Sequence, residues 1–146
     1  MATIRGNKTL SGSWAEVWID GVKAFLLQKI ELKVEANRED VQIGNDVDSK
    51  MTGLKGSGTI SVKKVYTMAR KMIEDLASGK DVRCSIITKL QDPDAVDGQI
   101  ERWSVDNVWW NTIPVVSWET GTPVQEEYEI GFTPSDLVNM DEISAA

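Results

Sequence analysis

The sequence predicts a mainly β fold, an antiparallel β-barrel or sandwich with one flanking α-helix at about residues 67–78. Three observations carry this. Runs that alternate apolar and polar residues recur along most of the chain, which is the period of a half-buried strand. Asp-Gly, Gly-rich and Pro-containing turns separate those runs. Only the stretch after Thr67 spaces its apolar residues as a helix does. At 146 residues the chain is one domain's worth, residues 1–146, and long enough to bury a core without disulfide staples.

Taken in order, Asp20-Gly21 sits between the β-rich runs WAEVWI and VKAFLL and suits a type I′ hairpin turn. The second arm is expected to run on to residue 36. Along it Ile30, Leu32, Val34 and Ala36 share one face, and Lys29, Glu31, Lys33 and Glu35 the other. Residues 37–54 break the pattern and read as a long, polar, mobile loop. A strand is expected at 57–65, with Ile60, Val62 and Val65 inward and a bend at the preceding GLKGSG. The helix places Met68, Met72, Ile73 and Leu76 on one face and stops at Gly79. Its bases precede its acids, against the macrodipole, so packing must hold it. Further strands are expected at 82–90, at 100–110 with a bulge near Asp106-Asn107, at 113–118 as an edge interrupted by Pro114, and at 124–132. Residues 133–146 read as a weakly structured tail with a helical turn after Pro134.

Charge and composition exclude several function classes. Sixteen basic against 23 acidic residues give −7, the wrong sign for a general phosphate-backbone binder. All the bases lie in residues 1–102; residues 103–146 hold eight acids and no base. There is no histidine, hence neither the commonest general base nor the commonest metal ligand. The lone Cys84 excludes an intrachain disulfide and a thiolate zinc cluster. No apolar run is long enough to span a membrane or form a signal-peptide core, so a reduced, cytoplasmic product is expected.

The remaining motifs are turns. Asp46-x-Asp48 meets Lys50 where a calcium loop needs oxygen, and Asp92-x-Asp94 has its glycine one position late. Gly53, Gly56 and Gly58 precede a strand and no Gly-Lys-Ser/Thr, so they form no phosphate loop. No nucleophile lies beside a base. The expectation is a non-enzyme with no catalytic residue, cofactor or metal. The alternative is an OB-like nucleic-acid- or ligand-binding β module using Trp103, Trp109, Trp110 and Trp118, though no base follows Arg102 to line a groove. A carbohydrate-binding β domain with exposed Trp is the third reading.

The strings GNKTLSGSWAEVWIDG, LKGSGTISVKKVYT and RWSVDNVWWNTIPVVSWETGTPVQEEYEIGFTPSDL resemble the tail tube proteins of contractile phage tails, over about residues 3–137. The resemblance implies a β-barrel or sandwich, six copies per ring, and rings stacked as a hollow tube in a phage or phage-like tail. It implies a sheath protein outside, a tape-measure protein inside, and DNA passing without specific binding. The particle would be assembled from protein made in the bacterial host cytoplasm. The family carries no catalytic residues. On that reading, ring or stacking contacts fall to the mixed-charge face Lys29, Glu31, Lys33 and Glu35, and to Val41, Ile43, Gly44 and Val47 in the loop.

Overall fold

A computed structural model describes residues 5–23, 26–64, 66–67 and 69–144. In chain order they form β1 (Ala15–Ile19), β2 (Val22–Lys23), β3 (Leu27–Ile43), β4 (Asp46–Lys63), α1 (Ala69–Ala77), β5 (Arg83–Leu90), β6 (Glu101–Thr112), β7 (Gln125–Phe132) and β8 (Leu137–Asp141). The pairs β1–β2, β1–β5, β3–β4, β4–β7, β6–β7 and β6–β8 are antiparallel, as expected of this mainly β sequence.

The chain divides into two units. The first joins the N-terminal segment to Cys84–Val108 and to the residues from Ser135 on. Its hairpin β1–β2 turns at Asp20 (φ 51°) and Gly21 (φ 82°), the paired positive φ of a type I′ turn. Beyond Lys23 the second arm does not simply continue: Leu26 is a turn residue, and β3 pairs with β4. Strand β1 instead pairs with β5, and Asp20 Oδ1 accepts from the Ser85 amide at 2.9 Å. The core of this unit is Val17, Cys84, Ile86, Ala95, Val105 and Val108. Val105 and Val108 are both buried, so the inward alternation slips between them, where Asn107 adopts φ 55°. Asp92 is buried yet satisfied, accepting from the amides of Ser11 (3.0 Å) and Asp94 (2.9 Å). The tail holds the expected helical turn, a 3-10 turn at Pro134–Asp136, but is corrected beyond it: β8 follows and pairs with β6. Asp141 lies 3.5 Å from Arg102, so a distant strand supplies the order that the local sequence lacks.

The second unit comprises Leu26–Arg83 and Trp109–Pro134. Here β7 lies between β4 and the end of β6, and β3 forms the outer strand. Ile60, Ala69, Tyr128, Ile130 and Phe132 are buried. Glu126 is buried in the same row of β7, with Lys64 Nζ 4.0 Å away. The helix ends as expected at Gly79 (φ 88°). Its amide bonds Leu76 O and the Lys80 amide bonds Asp75 O, a Schellman close. Ile73 and Leu76 remain on the surface at 38% exposure.

Two further expectations are corrected. The strand expected at 113–118 is absent: residues 113–124 connect β6 to β7 without strand pairing, with Val115, Val116 and Trp118 exposed. Pro114 removes a ladder donor at the point where the run would start. The loop at 37–54 is instead the far half of a long β-hairpin. Ala24, Phe25, Val65, Met68 and the last two residues lie outside the described residues.

Candidate assembly surface

The β3–β4 hairpin is two strands of 17 and 18 residues joined by Gly44-Asn45. Gly44 alone takes positive φ (61°), the pattern of a type II′ turn, which needs glycine at its first central position. The register is continuous from Leu27↔Val62 to Ile43↔Asp46 except at two shifts. At one of them Asn37 faces Gly53 and Arg38 faces Met51, leaving Thr52 as the extra residue. Thr52 Oγ1 donates to Asn37 O at 3.2 Å, which ties the bulge down.

That bulge decides which residues share a face. On one side lie Lys29, Glu31, Lys33, Glu35, Glu39, Val41 and Ile43, opposite Ser61, Thr59, Ser57, Lys55, Lys50, Asp48 and Asp46. This face is zwitterionic: Lys33 lies 3.5 Å from Glu35, and Glu35 and Glu39 stand across from Lys55 and Lys50. Such exposed pairs contribute little stability, about 0–1 kcal/mol each, but they set a sign pattern along the surface. On the other side Ile30, Leu32, Val34 and Ala36 face Ile60, Gly58, Gly56 and Leu54, followed by Met51 and Val47. This row starts in the core at Ile60 and runs outward into solvent: Val34 is 41% exposed, Leu54 and Met51 53%, Val47 66%.

Every residue from 33 to 52 is exposed. β7 supports β4 only over Gly56–Lys63, so the far half stands as two strands alone. A two-stranded hairpin is marginal by itself in water, and an exposed edge with an apolar face invites another chain.

The structure thus brings all eight sequence-predicted contact residues onto one hairpin. Lys29, Glu31, Lys33 and Glu35 share a face with Val41 and Ile43; Gly44 makes the turn; Val47 lies on the opposite face. Val34 and Ala36, on the apolar face of the expected half-buried strand, are exposed. The sequence reading missed Leu54 and Met51, because the extra Thr52 changes the parity that joins them to Gly56 and Ile60. Among the described residues, no group of three or more His, Cys, Asp or Glu could hold a metal ion.

Comparison with known proteins agrees with this architecture. A family model described as phage tail tube protein matches residues 2–139. The phage-like element PBSX protein XkdM of Bacillus subtilis (strain 168) is 26% identical over 137 residues, covering 92% of each chain. Among solved structures, the sheath/tube terminator of an extracellular contractile injection system (PVC, extended state) superposes with a TM-score of 0.66 at 11% identity, covering 90% of this chain and 96% of that one. The tube-terminating cap of the anti-feeding prophage gives 0.65 at 12% identity, covering 97% of both chains. These two likenesses are of fold. With the family match spanning nearly its whole length, the chain belongs to the phage tail tube protein family, as a structural component of a phage or phage-like tail.

Proposed function

We propose that this protein self-assembles into hexameric rings stacked as the inner tube of a contractile tail, a conduit through which DNA passes. The observation that carries the proposal is the β3–β4 hairpin, whose residues 33–52 are exposed on both faces and find no cover in their own unit. A second copy supplies that cover. The likeness to terminator and cap structures supports the same reading, and the number six comes from the family resemblance. A sheath protein outside and a tape-measure protein inside complete the assembly.

The charge distribution fits a conduit. With no base after Arg102 and a net charge of −7, the protein offers little counterion release to a phosphate backbone. DNA therefore slides without adhering. The far half of the hairpin, read from sequence as mobile, is expected to gain protection from amide exchange when copies stack.

Negative-stain imaging across a concentration series tests this. Rings or tubes that grow with concentration, with no salt-sensitive retention of oligonucleotides, are the expected result. A chain that stays monomeric at every concentration and binds oligonucleotides tightly at low salt overturns it.

A further inference from the structure

In the first unit Leu10, Val96, Trp103 and Ile143 wall a pocket of about 570 Å³. Its polar lining is uneven, with the carboxylates of Glu101 and Glu142 against the single ammonium of Lys8. Trp103 Nε1 donates to Glu101 Oε1 at 2.7 Å, which fixes that carboxylate beside the indole. Asn139 is committed elsewhere, to the carbonyls of Arg102 (3.3 Å) and Asp141 (3.0 Å). Glu142 and Lys8 make no ion pair among the described residues. The pocket is therefore apolar-walled, aromatic and net negative, with one positive corner.

The exposed row of the hairpin presents the converse set. Arg38 stands across from Met51, and Asp40, two residues on, shares its face. Among the described residues Arg38 is held by a 3.3 Å bond to the exposed Ser49 hydroxyl. We propose that the pocket of one copy receives the Arg38–Asp40 stretch of the hairpin of another. Arg38 lies against Trp103 between Glu101 and Glu142, and Asp40 is directed toward Lys8. The pairing rests on the self-assembly reading above and adds which two surfaces meet. A guanidinium is the cation for such a site, because it stacks on an indole and bonds carboxylates in the same plane. Two different patches on one chain make a heterologous contact, which propagates into rings or filaments rather than stopping at a dimer.

Charge reversal tests it in the full chain. Arg38→Glu and Glu142→Arg are each expected to raise the concentration needed for assembly by about tenfold, and the two together to restore it to within about threefold. A second exchange, Asp40→Lys with Lys8→Glu, should behave alike. All four positions are exposed, and thermal melts of the monomer confirm that each variant folds. If the unaltered chain assembles and neither Arg38→Glu nor Glu142→Arg changes the concentration this requires, the pairing alone is overturned. A double reversal no better than the worse single overturns it as well. An unaltered chain that never assembles overturns the self-assembly reading and this pairing together.

Discussion

Gly131 of β7 stands directly across from Trp109 of β6, and the indole occupies the space that a side chain at 131 would take. A Cβ built there would lie 2.6 Å from Trp109 Cε2 and 2.8 Å from Cζ2. The Arg83 guanidinium sits over the same ring, 4.9 Å from its centroid. The neighbouring strand pair repeats the device, for Gly56 of β4 faces Phe132, whose ring and carbonyl come within 2.6 Å of a Cβ at 56. In both pairs an aromatic ring covers a glycine across the ladder, which protects backbone that glycine leaves bare. Gly131→Ala is expected to lower stability by about 1–3 kcal/mol through overpacking. In a Trp109→Ala background the same change should cost clearly less, because the ring it strikes is gone. Thermal melts of the four variants check the coupling.

Turn chemistry was legible in the sequence because it is local. Asp20-Gly21, Gly79 and Asp106-Asn107 each mark a conformation that few residues adopt, and the structure has a hairpin, a helix stop and a slip there. The far half of the hairpin was hidden because a period-two pattern records a core beneath one face, and no core of its own unit lies beneath residues 37–52. Val115, Val116 and Trp118 misled in the opposite direction: apolar residues read as a strand, yet they are exposed. Strand β8 depends on β6, more than thirty residues earlier, and no local signal announces such pairing. For the candidate surface, residue types and location were readable. Which face each residue joins was not, since a single extra residue, Thr52, reverses the parity of β4.

Tyr128 Oη is buried and, among the described residues, without a hydrogen-bond partner, while its ring meets Trp110 edge-on at 5.5 Å. The hydroxyl carries a desolvation cost and returns no bond. Tyr128→Phe keeps the ring contact and removes the orphan. It is expected to leave stability unchanged or raise it by about 1 kcal/mol, read as the denaturation midpoint at constant slope. A loss of more than about 1 kcal/mol would show that the hydroxyl has a bonding role.

Burial and the negative charge of Asp20 push the Cys84 thiol from 9.0 up to about 11. At pH 8 about one molecule in a thousand then carries a thiolate, so native protein should react with a thiol reagent far more slowly than unfolded protein. The same shift links stability to pH. The folded state holds the proton more tightly, so this contribution is complete below pH 9 and is lost as pH rises from 9 to about 11. Tyr128, pushed up from 10.0 by burial and by Glu126, acts with the same sign at higher pH. Melts between pH 8 and 11 should show falling stability, with a shallower slope in Cys84→Ala and, above pH 10, in Tyr128→Phe.

The hairpin tip separates folding from assembly. Val41, Ile43 and Val47 are 39%, 61% and 66% exposed and belong to no buried core, so replacing all three by Ser removes only partly covered apolar surface from the isolated chain, most of it at Val41. Its melting point should stay within the effect of about 0.5 kcal/mol per site that surface changes produce. Ile60, 1% exposed at the root of the same hairpin, gives the contrast: Ile60→Asp buries an unpaired charge and should unfold the second unit. If copies cover the tip as proposed, the triple Ser variant folds normally and fails to form rings or tubes at concentrations where the unaltered protein does, by sedimentation and negative-stain imaging. A large drop in its monomer melting point would mean instead that the tip packs against its own chain, and the need for a second copy would lose its basis.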